Sequence, residues 1–342
     1  MIRLLSSAVA ASLLLATVAR AADPAPAYPG PNTADEPLRK EFSLSAAATF
    51  LDAAAADWGQ NRKCFTCHTN YSYLLVRPAL KDASPVHADV RRQLEELVEQ
   101  RWQMEGPRWD AEVVMSAAVL AMHDASTTGK LHTTTKKALE RMWTVQKEDG
   151  GFAWLKCDWP PMESDDHFGA TMALIGVGAA PENYRETPEA QAGIDKLKKY
   201  LAANPPPTLH HKLMLLWAGS YLEGVVAREQ QKVWLAELSQ LQHADGGFSL
   251  ASYGDWKRAD DSPQDVKTSD GYATGLAVVI LRRCGTPASD ERIGRAIDWL
   301  KANQRDSGRW FTRSLHKDSK HYISHAGTAM AALAIATCDE RK

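Results

Sequence analysis

The 342-residue chain has little of several things that would assign a protein quickly. It has five cysteines, too few and too scattered for the dense disulfide framework of a small secreted scaffold. It has no excess of either charge: 40 Lys and Arg stand against 42 Asp and Glu, for a net charge of −2. A basic stripe for nucleic acid or an anionic membrane surface is therefore absent. No segment beyond the N-terminus approaches the roughly eighteen apolar residues of a membrane-spanning helix. Strand signals are also missing, because no stretch alternates apolar and polar residues for long between hairpin turns.

The N-terminus carries Arg3, an apolar run from Leu4 to Val18, and the small-residue site Ala19-Arg20-Ala21. This is the pattern of a cleaved secretory signal peptide over residues 1–21. No cysteine follows the expected cut, so neither a lipid nor any other stable membrane anchor is expected, and the mature protein should be periplasmic or secreted. Pro24, Pro26, Pro29, Pro31 and Pro37 then predict an extended tether over residues 22–40. Residues 41–342 are left for one domain.

Cys64-Phe65-Thr66-Cys67-His68 is the most informative short motif. In an exported chain it reads as a c-type haem attachment site, with two thiols for the vinyl groups and His68 for the iron. The same residues suit a redox-active thiol pair or a Cys/His zinc site. Cys157, Cys284 and Cys338 remain, widely spaced, with one disulfide open to them.

Repeats organise the rest of the chain. Gln146-Lys147-Glu148-Asp149-Gly150-Gly151-Phe152, Gln242-His243-Ala244-Asp245-Gly246-Gly247-Phe248 and Gln304-Arg305-Asp306-Ser307-Gly308-Arg309-Trp310 read alike. Each closes a helix with a polar face, carrying Trp143, Trp234 or Trp299, and precedes an almost uncharged helix. Such alternation predicts an outer layer over a buried inner one. Outer helices are predicted over Leu44–Trp58, Val86–Met104, Thr133–Lys147, Pro188–Ala203, Arg228–Leu241 and Ser289–Gln304. Inner helices are predicted to begin near His68, Asp110, Asp165, Leu209, Ser269 and His321. Six such pairs can close as a ring or wind as an open solenoid.

The segment Arg295 to Gln304, followed by Gly308 and Trp310, resembles the glutamine–tryptophan repeat of squalene–hopene and oxidosqualene cyclases. That resemblance implies an all-α (α/α)6 toroid, a fold shared with protein prenyltransferase β subunits. The repeat glutamines and aromatics are then expected to fasten outer helices together rather than to carry chemistry.

In a ring whose inner helices run one way, their N-termini share a rim. Cys64, Cys67, His68, Asp110, Glu163, Asp165, Asp166, His167, His210, His211, Asp270, His321 and His325 are predicted there. Asp110, Asp165 and Asp270 also suit plain helix N-caps. Three chemistries could use the rim. Covalent haem c would take Cys64, Cys67 and His68, with His167, His211 or His325 opposite, and would call for a redox partner protein. Met115, Met122, Met172, Met214 and Met330 read instead as core packing. Zinc could use His321 and His325, four apart on a helix. The resemblance implies a third chemistry: Glu163-Ser164-Asp165-Asp166 is similar to the cyclases' Asp-x-Asp-Asp motif, with Asp165 as proton donor and Glu163 and Asp166 beside it. There, Phe152, Trp154 and Trp159 would wall in cations, and the partner would be a small apolar, isoprenoid-like molecule. The departures are that Glu163 replaces the first aspartate and that the chain holds one barrel.

Overall fold

The computed structural model describes residues 28–339 except 63, 82, 102–105 and 158. The expected signal peptide and the first residues of the tether lie outside the described residues. Twelve α-helices are described, with two isolated bridges and no strand among the described residues.

The outer helices are α1 (Leu44–Arg62), α3 (Pro85–Gln100), α5 (Thr133–Thr144), α7 (Pro188–Ala203), α9 (Arg228–Gln240) and α11 (Glu291–Ala302). Interleaved with them run the inner helices α2 (Ser72–Val76), α4 (Pro107–Thr127), α6 (Asp166–Ala179), α8 (Leu209–Gly219), α10 (Gly271–Arg283) and α12 (Ile323–Asp339). Helix α2 is short because a π-turn, Cys67–Tyr71, leads into it and a 3-10 turn, Arg77–Leu80, ends it. Every residue of α10 from Gly271 to Leu281 is buried, whereas α11 buries only Ile293, Ala296 and Leu300. One face of an outer helix is enough to cover the ring, while an inner helix is enclosed on all sides.

The inner helices touch in the order α2, α4, α6, α8, α10, α12, and α12 returns to α2. The ring is closed: the chain is an α/α-toroid, and the open solenoid is excluded.

The repeats explain the closure. The Gln146 amide donates to the carbonyls of Gly150 and of Gly193 on α7, at 3.0 and 3.1 Å. Gln242 does the same to Gly246 and to Arg292 on α11, at 2.9 and 2.8 Å. Gln304 donates to Gly308 and to Ser43 before α1, both at 2.9 Å, and accepts from the Ser43 amide at 2.8 Å. The third repeat thereby ties the last outer helix to the first. The glycine four residues on has positive φ in each case, 93° at Gly150, 92° at Gly246 and 96° at Gly308. At Gly308 a Cβ would also stand 2.2 Å from the Ala46 carbonyl oxygen, so the repeat requires glycine there twice over.

The tether does not run free over its described part. Leu38 bridges Arg305, the Arg39 amide donates to Gln304 O at 2.8 Å, and Glu36 pairs with Arg309. Proline composition predicts an extended backbone but says nothing about docking; the last repeat supplies the binding edge.

Candidate functional site

The N-termini of α6, α8 and α10 are capped by Asp165, Thr208 and Asp270, which accept from the amides of Phe168, His211 and Ala273. Asp110 is not a cap: α4 begins three residues earlier, behind Pro107, because proline suits the first turn. Asp270 is fully engaged, holding the Leu250 amide at 2.6 Å and the Ala273 amide at 2.9 Å. Burial raises its carboxyl to about 6, against the pull of those amides.

Asp165 accepts from the Phe168 amide at 3.2 Å, and both of its oxygens lie 3.0 Å from His211 Nε2. Burial alone would raise this carboxyl, but the His211 hydrogen bond and charge and the Phe168 amide outweigh it and hold it at about 2. The side chain is also one-third exposed and does not line the central cavity. Asp166 lies in the first turn of α6, 3.8 Å from Lys147.

The aromatic residues expected around a cation are elsewhere. Phe152 is buried in the repeat turn, Trp154 packs on Gly169, and Trp159 lies under Lys317 and His316. None of the three lines the central cavity.

His167 and His211 meet edge to face with centroids 5.0 Å apart, and His210 continues the cluster, its Nε2 2.9 Å from the Tyr272 hydroxyl. Burial, then the His211 charge, lowers His167 to about 4 and carries His210 well below the usual imidazole range.

The Cys-x-x-Cys-His residues divide. Cys64 and Cys67 are free thiols that line one recess with Cys157, Arg108 and Glu163. Burial, then the nearby Glu163 charge, raises the Cys67 thiol. Burial likewise raises Glu163, opposed by the Cys67 backbone and by Arg108. Glu163 thus belongs with the cysteines, not with Asp165.

His68 is not among the residues lining that recess. Its ring stacks on Tyr322 at 5.6 Å, with Trp58 edge-on at 5.1 Å, and its Nδ1 meets Thr69 Oγ1 at 3.0 Å. Thr69 reaches His325 Nδ1 at 2.9 Å, and Asn32 holds the other nitrogen of His325 at 3.1 Å. Burial lowers His68 to about 4, and burial with the His68 and Arg309 charges lowers His325 to about 3.

His321 and His325 do not form a helical pair. Helix α12 starts at Ile323, and His321 sits before it, accepting from the Ser314 amide at 3.0 Å. Among the described residues no three His, Cys, Asp or Glu side chains converge as a metal site.

The inner helices line a cavity whose atom-free space, its open mouth included, is about 450 Å³. Only about 30 Å³ of it can take the centre of a water-sized sphere, room for a water or two. Met115, Met162, Met172, Met214 and Met330 line it with Phe168, Trp217, Cys67, Tyr71 and Tyr272, and the wall is almost wholly apolar. Four of the five methionines were expected in the core. The inner-helix residues Tyr272 and Trp217 were not singled out in the sequence; the clue available was a large aromatic placed among alanines and glycines.

No family model matches the chain. No curated protein matches it. Among solved structures it is similar to ent-copalyl diphosphate synthase from Streptomyces platensis, with a TM-score of 0.52 and 17% identity over 78% of this chain. The chain spans 50% of that protein's length. It is also similar to the type II terpene cyclase MstE from Scytonema, at TM-score 0.51 and 12% identity, covering 86% of this chain and 97% of the other. A variant of MstE in complex with merosterolic acid A, its product, matches at TM-score 0.51 and 13% identity, covering 86% and 95%. These likenesses establish the fold: an α/α-toroid of the kind seen in type II terpene cyclases.

Proposed function

We propose that the chain binds a short apolar, isoprenoid-like molecule in the cavity between its inner helices. The observation that carries this reading is the wall itself, built from five methionines with aromatic neighbours. As it stands the cavity has room for a water or two, well short of the ~300–1,000 Å³ of small-molecule sites, so a ligand must part the wall to enter. Methionine side chains are unbranched and polarizable, so a wall of them can move apart around an entering chain. That a toroid of similar fold holds a terpenoid product supports the choice of ligand class. Asp165 caps α6 and lies outside the residues that line this cavity, so the binding reading gives it no proton to deliver there. The leader points to a periplasmic or extracellular setting.

The test is thermal denaturation of the full mature chain with farnesol. A ligand at about a hundred times its dissociation constant should stabilise the fold by about 2.7 kcal/mol. Val119→Phe, which fills the cavity from α4, should abolish the shift. An equal shift in both proteins would refute the cavity as the site.

A second reading rests on Cys64 and Cys67. Two free thiols share an open recess with the Arg108 guanidinium, which could receive a haem propionate. The thiols fit haem c, but the imidazole does not: His68 packs between Trp58 and Tyr322, away from that recess. A redox partner protein stands or falls with covalent haem. Expression with cytochrome c maturation machinery, followed by haem staining under denaturing conditions, decides it. A colourless chain with two titratable thiols at Cys64 and Cys67 would remove the haem.

A further inference from the structure

The central cavity and the recess beside Cys64 share three lining residues, Cys67, Tyr71 and Met115. Two chain segments carry the lining from one space to the other. On α4, Arg108, Ala111, Glu112 and Met115 line the recess, while Met115 and Val119 line the cavity. These positions are three or four apart and share one face of the helix, so the stripe runs inward from the first turn of α4. The Cys64–Tyr71 segment does the same, since Leu75, four residues after Tyr71, lies on the cavity wall. One layer of side chains separates the two spaces.

That layer is uneven in stiffness. Tyr71 is anchored to α4, its hydroxyl meeting Ser116 Oγ at 3.2 Å and reaching the Glu112 carbonyl. Met115 is buried, but its side chain is unbranched and adaptable, so it can swing aside at little cost. The recess has room on its side: about 220 Å³ of it can take the centre of a water-sized sphere, against about 30 Å³ in the cavity.

Polarity changes across the layer. The cavity wall is almost wholly apolar, whereas Arg108, Glu112 and Glu163 line the recess. Their charges are largely answered. Glu112 pairs with Arg101 at 3.0 Å, and Arg108 draws the Glu163 carboxyl down against the rise that burial causes. Burial keeps Cys67 a neutral thiol. An anionic head group would meet Glu163 and a cationic one Arg108, while a hydroxyl can accept from the guanidinium and donate to the carboxylate.

We propose that the recess is the mouth of the cavity and seats the uncharged hydroxyl head of an amphiphile whose apolar chain passes Met115 into the cavity. This rests on the cavity reading above and adds to it a head-group site and a route of entry.

The experiment is alkylation of the full mature chain by iodoacetamide under reducing conditions, read cysteine by cysteine by peptide mass spectrometry. Cys64 and Cys157 line the recess, and Cys284, half-buried just after α10, is the internal control. Farnesol at about a hundred times its calorimetric dissociation constant occupies about 99% of the chains. It should slow alkylation of Cys64 and Cys157 about tenfold and leave Cys284 unchanged. Farnesol that binds without protecting them overturns the inference while leaving cavity binding intact. Farnesyl phosphate, with the same chain and a charged head, should bind at least about tenfold more weakly than farnesol. Equal or tighter binding of the phosphate overturns the uncharged head. Failure of farnesol to bind at all overturns the cavity reading and this inference with it.

Discussion

Replacing Gln304 with alanine tests whether the repeat closes the toroid. The side chain is fully buried and makes three hydrogen bonds, two of them to both backbone groups of Ser43 on the far side of the seam. Each bond is worth about 1 kcal/mol net, and truncation also leaves the Ser43 amide and carbonyl without that partner in a half-buried place. The expected loss is therefore about 3–4 kcal/mol. With a urea dependence of about 3 kcal/mol per molar, the unfolding midpoint should fall by roughly 1 M. Gln240→Ala, at an exposed glutamine of α9, is the control and should stay within about 0.5 kcal/mol of wild type. Equal midpoints for the two variants would refute the view that Gln304 holds the first and last outer helices together.

Three further outcomes are expected. Gly308→Ala should destabilise at least as much as Gln304→Ala, since it combines a φ of 96° with a 2.2 Å approach to Ala46 O; a folded variant with an unchanged urea midpoint would contradict this. Asp165→Asn should keep the fold at a cost of about 1–2 kcal/mol for the weakened cap, and wild type should give no cyclised product from squalene; a cyclised product lost in the variant would restore the acid role. Stability should fall on mild acidification. Burial, then the Arg91 and His87 charges, lowers His123 from 6.5 to about 3, so the unfolded chain takes that proton first. The contribution of His123 is complete above about pH 6.5 and drains away as pH falls toward 3, about 2 kcal/mol being gone by pH 5. Urea unfolding at pH 7 and pH 5 should show a flatter dependence in His123→Asn, and an identical slope would count against a buried neutral imidazole.

The fold was largely legible because its signals are periodic. Pro188–Ala203 was placed to the residue, and the other outer helices within a few residues, since polar-faced and uncharged segments alternate through the chain. The repeat glutamines fell into the expected fastening role because each side-chain amide bonds its own glycine turn and the backbone of the next outer segment. The site was legible only as an inventory. Thirteen rim residues share a position in the repeat, yet which way each points depends on packing that sequence spacing does not encode. Cys67 turns to the cavity while His68, its neighbour, turns to Trp58 and Tyr322. Glu163 leaves the acidic run for the cysteines. His321 falls outside its helix because the chain turns at Tyr322 before α12 begins. The Tyr272–His210 pair joins residues 62 apart in sequence, a contact that only closure of the inner ring creates.

The most direct test of ligand binding is a crystal structure of the mature chain grown with farnesol. The expected result is continuous density for the chain between Met115, Met172 and Met214, with the methionines displaced outward to admit it. Farnesol bound in an outer groove, with the methionine wall closed as it is without ligand, would contradict the account.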